Sequence, residues 1–144
     1  MNRRRELGII AGLFSDQVII TCDDPGMECQ EDIAGEVRTY VELTGCPVQC
    51  ISERREAVEQ AVRMAAGSSG PALILLLGRG SERFQQIKGQ DRPYPTDSCL
   101  MQGALEAYNR RAISIKSNKT GDKAGKVWYT YSGFLFFSGK DSAV

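Results

Sequence analysis

Apolar residues recur along the chain with two spacings that alternate three times. Segments whose apolar residues lie three or four positions apart predict helices, and short runs of β-branched residues or leucine predict strands. The predicted helices cover Arg4–Phe14, Glu31–Leu43 and Glu53–Ala66, and each precedes a predicted strand, at Val18–Thr21, Pro47–Ile51 and Leu73–Leu77. This alternation is typical of an α/β fold, here a Rossmann-like open, mostly parallel sheet with flanking helices.

The third helix and strand carry the clearest pattern. Leu73–Leu77 is apolar at every position, which predicts a strand covered on both faces. Ser52 is the predicted N-cap of the helix before it. That helix is expected to bury a stripe consisting of Ala57, Val58, Ala61, Val62 and Ala65. Three aromatic residues, Phe14, Tyr40 and Tyr108, are also predicted to lie in the core.

The pattern changes after Gly78. Phe84–Ile87 and Asp91–Tyr94 flank a short turn, which predicts an antiparallel hairpin near the edge of the sheet. Thr96–Arg111 predicts a closing helix. The tail beyond it is rich in lysine and glycine and ends in two aromatic runs, VWYTY and FLFF. These runs predict a second hairpin, which we expect to add to a sheet edge, to pair with another chain or to be a foreign segment.

Composition and charge narrow the class of protein. The 144 residues are 42% hydrophobic and 25% charged, with 18 basic and 18 acidic side chains, as in soluble globular proteins. This balance predicts no nucleic-acid partner, and no apolar run approaches the roughly 20 residues of a membrane span. All twelve arginines precede residue 112, whereas five of the six lysines follow residue 115. We therefore expect a body and a tail of different origin.

The cysteine and histidine content bears on location and chemistry. Five cysteines without a secretory signal are typical of reduced thiols in the cytoplasm. A zinc site made of Cys22, Cys29, Cys46 and Cys50 is disfavoured, because no C-x2-C pair occurs, and no metal site is predicted. The chain contains no histidine, which excludes Ser–His and Cys–His catalytic pairs.

Two polar loops follow predicted strands. Residues 22–26 (CDDPG) come after the first strand, and residues 78–82 (GRGSE) come after the third. Ligands of open parallel sheets bind where strands end, and carboxylates there can hold an ammonium group. From the residues alone, a purely structural role for these loops is favoured over a binding site, since D-D-P-G is a good β-turn and G-R-G-S-E can cap a helix.

Four stretches in the same order resemble the C-terminal domain of the Mur ligases, in particular the UDP-N-acetylmuramoyl-tripeptide synthetases. I-I-T-C-D-D-P-G resembles the family's strand running into T-x-D-N-P-R, and G-R-G-S-E-R-F-Q resembles G-K-G-H-E-x-x-Q. S-E-R-R-E-A-V matches D-R-x-x-A-I, and the opening R-R-E-L-G resembles K-R-P-L-M-G. The agreement covers residues 3–110. We therefore predict a Mur ligase C-terminal-type domain at 1–111 and a tail at 112–144.

The resemblance implies a function in peptidoglycan synthesis. In this family, ATP activates the D-glutamate carboxylate of a UDP-muramoyl dipeptide, and the amine of an incoming amino acid then forms an amide. The resemblance implies that the incoming amino acid is bound by Asp24, Gly26, Gly78 and Glu82. Arg3 and Arg4 are expected near the nucleotide. ATP and Mg²⁺ are expected to be bound mainly by other domains, because the sequence contains no G-x-x-x-x-G-K-[ST].

The departures from the family pattern shape the expected substrate. Gly26 stands where diaminopimelate-adding members have an arginine that holds the substrate's distal carboxylate, so a diamino acid such as L-lysine is favoured over diaminopimelate. We expect Asp24 and Glu82 to converge as an anionic cradle, and the chain alone to be inactive. Two alternatives stay open: a non-catalytic α/β binding module, and a related amide ligase of the folylpolyglutamate or cyanophycin synthetase type. The aromatic tail is a candidate surface for self-association.

Overall fold

Four helices and seven strands make up the described part of the chain, which comprises residues 3–116, 128–131 and 135–138 of a computed structural model, with side chains described for 3–111. In chain order the elements are α1 Arg3–Phe14, β1 Gln17–Ile20, α2 Gln30–Glu42, β2 Val48–Cys50, α3 Arg54–Gly67, β3 Leu73–Leu76, β4 Phe84–Ile87, β5 Gln90–Pro93, α4 Asp97–Lys116, β6 Trp128–Tyr131 and β7 Leu135–Ser138. Helices and strands of the body lie within a few residues of their predicted positions.

Five strands form the main sheet, in the order β2-β1-β7-β3-β6. β1 and β2 are parallel, with Val18 opposite Val48, and β3 and β6 are parallel. β7 lies between β1 and β3 and is antiparallel to both. Four of the five strands therefore run in one direction, and the predicted Rossmann-like, mostly parallel α/β fold is confirmed.

The predicted antiparallel hairpin is also confirmed. β4 and β5 form a separate two-stranded sheet in which Ile87 pairs with Gln90. Lys88 and Gly89 between them have positive φ values of 50° and 72°, as a two-residue hairpin turn that matches strand twist requires. The hairpin is thus a separate two-stranded sheet closed by a two-residue turn.

Helices cover both faces of the sheet because side chains alternate along β1. Val18 and Ile20 pack with residues of α1 and α2 in one cluster, while Ile19 packs with α3, β3 and α4 in another. All five predicted apolar positions of α3 are buried. α3 starts one residue later than predicted, since the N-cap is Glu53, whose carboxylate accepts from the Arg55 N–H at 3.1 Å, and not Ser52.

The prediction that Phe14 of α1 lies in the core is wrong, and Ile10 is exposed as well. Ile10 and Phe14 are 54% and 79% exposed. The face turned to α2 instead carries small residues, and a Cβ at Gly8 would lie 2.8 Å from the Val37 carbonyl oxygen. The two helix backbones approach so closely there that the larger apolar side chains of α1 point outward.

The two tail strands do not pair with each other, which differs from the predicted hairpin. β3 lies between them, so β6 adds to the sheet edge, whereas β7 enters the interior. Without β7, β1 and β3 would each have one edge without a partner, and β7 pairs with both of these edges. The predicted self-association through aromatic side chains concerns residues outside the described side chains. Among the described residues, no helix combines the length and apolarity needed to cross a bilayer.

Candidate functional site

Three carboxylates meet where β1 and β3 give way to loops. Oxygens of Asp23, Asp24 and Glu82 all lie within 4.8 Å of one another, and all three residues are exposed. The sequence predicted that Asp24 and Glu82 would converge, and the structure brings them together. We call these three residues the acidic rim.

Gly78, predicted to contact the amino acid, lies directly beneath Asp23. Its φ of +120° disfavours other residues, and a Cβ there would lie 2.4 Å from Asp23 Oδ2. Only a glycine allows the Asp23 carboxylate to rest against the backbone at the end of β3. Gly78 therefore shapes the acidic rim through its missing side chain.

Gly26, also predicted at the site, connects the first loop to the hairpin. It forms an isolated bridge with Ile87, and its carbonyl accepts from the Lys88 N–H at 2.8 Å. Its φ is +62°, and a Cβ built on it meets no atom within 4 Å among the described residues. The position is thus open in space and restricted in backbone conformation.

Arg79, between the two glycines of the second loop, is fully buried and pairs with Asp24. Its Nη1 donates to Asp24 Oδ1 at 2.9 Å, and its Nη2 donates to the Phe84 carbonyl at 2.8 Å. The guanidinium also lies over the Tyr94 ring, 5.0 Å from its centroid. Asp24, predicted to form an anionic cradle with Glu82, therefore already has a cationic partner.

Gln85 and the backbone of Gln86 complete the contact between the hairpin and the first loop. The buried Gln85 amide donates to the Asp23 carbonyl at 2.7 Å and lies 3.3 Å from Cys22 Sγ. The Gln86 N–H donates to Asp24 Oδ1 at 3.0 Å. Strand β4 thus fixes the backbone of Asp23 and one carboxylate oxygen of Asp24.

A buried ion pair anchors the second loop from below. Arg54 Nε and Nη2 donate to the two carboxylate oxygens of Asp97 at 2.7 and 2.8 Å, and the side chains are only 2% and 3% exposed. Arg54 also donates to the Leu77 carbonyl, and Asp97 accepts from the Gly80 N–H at 3.0 Å. Sequence reasoning gave neither residue a role, although the match to D-R-x-x-A-I includes Arg54.

The electrostatics of the acidic rim follow from its packing. Burial raises the pKa of the Asp23 carboxyl, Arg54 opposes this shift, and the neighbouring Asp24 adds to it. Burial likewise raises the pKa of the Cys22 thiol to about 11. The loop after β1 thus holds a thiol that stays protonated at neutral pH and a carboxyl group whose pKa lies above its ordinary value.

Ser81 does not join the acidic rim. It lines an open depression of about 610 Å³ together with Arg83, Tyr94 and the start of α4. The Tyr94 hydroxyl donates to Glu53, and burial together with this bond raises the pKa of Tyr94 to about 12. Tyr94 therefore separates this depression from the buried Arg79.

The two arginines predicted near a nucleotide lie on α1. Arg4 pairs with Glu28 at 2.7 Å and with Glu36 at 2.9 Å, and both partners raise its pKa. Arg4 thus ties α1 to α2 and to the end of the first loop. Arg3 is exposed.

The structure is an α/β domain with carboxylates in the loops after β1 and β3. Comparisons with known proteins show which proteins are related to it. The chain is 35% identical over 106 residues to a UDP-N-acetylmuramyl-tripeptide synthetase of Ligilactobacillus salivarius, and 32% identical over 106 residues to that of Lactobacillus acidophilus. It is 27% identical over 109 residues to a UDP-N-acetylmuramoyl-L-alanyl-D-glutamate–L-lysine ligase of Enterococcus faecalis. These matches cover 73–76% of the chain.

The chain is a homologue of part of the Mur ligases, and the predicted resemblance is confirmed. It spans only about a fifth of the length of the three relatives, 20% or 21% of each, which is consistent with a C-terminal domain. No protein-family model matches the chain.

Proposed function

We propose that the chain is the amino-acid-binding domain of an ATP-dependent ligase in cytoplasmic peptidoglycan synthesis. In this proposal the whole enzyme adds a diamino acid, L-lysine in preference to diaminopimelate, to UDP-N-acetylmuramoyl-L-alanyl-D-glutamate. The observation that supports it is the acidic rim, in which Asp23, Asp24 and Glu82 converge at the ends of two parallel strands. The homologous ligases named for a lysine substrate give the proposal its reaction class.

The charge balance of the acidic rim suits an ammonium group. Asp24 is paired with Arg79, and Arg54, which also acts on Asp23, is itself neutralised by Asp97, so a net negative charge remains for a ligand. An ammonium group can donate three hydrogen bonds, and bonds between charged partners are the strong ones. The side-chain end of L-lysine or ornithine supplies such a group.

The same geometry disfavours diaminopimelate, whose side chain ends in both an ammonium group and a carboxylate. Arg79, the cation that pairs with Asp24, is fully buried, and its Nη atoms already bind Asp24 and the Phe84 carbonyl. Gly26 offers no side chain at all. A second carboxylate would therefore meet the acidic rim without a partner, and like charges repel.

The residues of this chain bind and orient the substrate. The acidic rim would hold the distal ammonium group, and the opposite end of the amino acid, with its α-amine, would then point away toward the activated carboxylate. ATP supplies the phosphoryl group for that activation when bound. Because the sequence has no P-loop, other parts of the whole enzyme would bind ATP and Mg²⁺.

A titration of the 144-residue chain followed by NMR tests the proposal. L-Lysine is expected to bind at least about tenfold more tightly than L-norleucine, which lacks the distal ammonium group, because a charged hydrogen bond contributes roughly 1.5–3 kcal/mol. Glu82→Gln should remove most of this preference. The matched control Glu106→Gln, on the exposed surface of α4, should keep it. Tighter binding of diaminopimelate than of L-lysine would contradict the proposed substrate.

A further inference from the structure

Arg79 is costly to bury, and its burial needs an explanation other than stability. The side chain is 0% exposed, and its Nε–H is buried without a hydrogen-bond partner among the described residues. Burying a charge with an unsatisfied donor is unfavourable, and apolar side chains of similar volume often stabilise such positions equally well. A residue buried at such a cost is a candidate for a specific task at the neighbouring site.

The contacts of Arg79 connect it to the carboxylate of Asp24. Asp24 Oδ1 accepts from both Arg79 Nη1 and the Gln86 N–H, at 2.9 and 3.0 Å, which fixes the carboxylate and leaves Oδ2 for a ligand. The guanidinium is itself held by the Phe84 carbonyl and by the Tyr94 ring. Its plane therefore has three fixed points, and the orientation of Asp24 follows from it.

We propose that Arg79 is a positioning residue of the amino-acid site, which turns Asp24 so that one of its oxygens joins Asp23 and Glu82 around a single ammonium group. This inference rests on the proposed function and adds a residue that acts through Asp24. Arg79 also lowers the negative charge of the acidic rim, so that the rim suits one cation at a time.

Two substitutions separate the geometry of Arg79 from its charge. Arg79→Lys keeps the charge, but a compact ammonium group cannot replace the planar fork that reaches Asp24 and the Phe84 carbonyl together. Arg79→Met removes both and keeps a similar volume. Asp24 is 37% exposed and can hydrate when its partner is lost, so both variants are expected to fold.

The test compares both variants with wild type and with the matched controls Arg63→Lys and Arg63→Met, since Arg63 is an exposed arginine of α3. In NMR titrations of the full chain, both Arg79 variants are expected to bind L-lysine less than about threefold more tightly than L-norleucine, against about tenfold or more for wild type and the controls. A wild-type preference retained by Arg79→Lys overturns the positioning role, because charge alone would then suffice.

A readout without ligand distinguishes failure of this inference from failure of the proposed function. The Gln86 amide, which shares Asp24 Oδ1 with Arg79, should exchange with solvent at least about tenfold faster in both Arg79 variants, since its acceptor is no longer fixed. Unchanged exchange overturns the positioning role whatever lysine does. Faster exchange in a protein whose wild type has no preference for lysine supports the role of Arg79 and refutes the proposed substrate.

Discussion

At the scale of single residues, Asp23 stands out because the fold disfavours its ionised form. Its carboxyl group rests on the backbone of Gly78, and burial raises its pKa above that of the unfolded chain. The stabilising contribution of such a group is fully present below its unfolded pKa and is lost as the pH rises through its folded pKa. At neutral pH, the charge that would attract a cationic ligand therefore lowers stability.

Asp23→Asn is expected to raise the free energy of unfolding at pH 7, because the neutral amide avoids both the partial desolvation of the charge and its repulsion by Asp24. The advantage should shrink as the pH falls toward the unfolded pKa of aspartate, where the wild-type carboxyl is also neutral. Urea unfolding between pH 4 and pH 7 measures this, with Glu106→Gln as a control that shows no such trend. A less stable variant at pH 7 would mean that Asp23 is held mainly by favourable contacts.

Gly78→Ala tests the close approach of backbone and carboxylate. The new methyl group would lie 2.4 Å from Asp23 Oδ2 at a φ of +120°, so we expect a loss of about 1–3 kcal/mol in the free energy of unfolding. Gly103→Ala is the matched control, since Gly103 lies in α4 and a Cβ built on it meets no atom within 4 Å in the described part of the chain, and it should gain about 0.5–1 kcal/mol. Equal effects of the two changes would show that Asp23 moves aside easily.

The convergence of Asp24 and Glu82 could be predicted because each follows a strand, and parallel strands end at one edge of a sheet. The burial of Arg54 and Arg79 could not. Arginine is rarely buried without a partner, and here the partners lie 43 and 55 residues away along the chain. Nothing local in the sequence marks such a pairing.

At the scale of elements, α3 was predictable because its five apolar residues form one stripe against one face of the sheet. α1 was only partly so: its position follows from periodicity, but its buried face is made of glycine and alanine, which hydrophobicity does not reveal. The tail strands show a third case. An aromatic run predicts a strand, but its pairing partners depend on the free edges of β1 and β3, which are distant in the sequence.

The buried ion pair between α3 and α4 gives the prediction at this scale. Arg54→Met leaves Asp97 buried without its cation, which should cost about 3–5 kcal/mol, whereas Arg63→Met on the exposed face of α3 should change stability by less than about 0.5 kcal/mol. Chemical denaturation measures both. Adding Asp97→Leu to Arg54→Met should recover part of the loss, and a further loss in the double variant would argue that the carboxylate has other essential partners.

At the scale of the whole molecule, two helix pairs cover opposite faces of one sheet, and the acidic rim lies at the carboxyl ends of β1 and β3. The clusters on the two faces share β1, which contributes Val18 and Ile20 to one and Ile19 to the other. A displacement of β1 would therefore disturb both clusters and the loop that carries Asp23 and Asp24. The hairpin β4–β5 fixes that loop from the outside through Gly26 and Gln85.

The isolated chain is expected to show no ATP turnover, with or without L-lysine, because its sequence contains no phosphate-binding loop. Phosphate release measured over a no-protein blank checks this, with a full-length L-lysine ligase such as that of Enterococcus faecalis as the positive control, all assays containing UDP-N-acetylmuramoyl-L-alanyl-D-glutamate as the carboxylate substrate. Release that scales with the concentration of the chain and stops on its heat denaturation would show that these residues bind and cleave ATP unaided.

Gly26 restricts which side chains the first loop can carry. A left-handed backbone costs a residue with a side chain about 1–2 kcal/mol, and the carbonyl of Gly26 is tied to the hairpin by Lys88. Replacing Gly26 with arginine would thus lower the free energy of unfolding unless the hairpin turn also changed its conformation. The first loop can therefore accept a side chain at this position only together with a rearrangement of the hairpin.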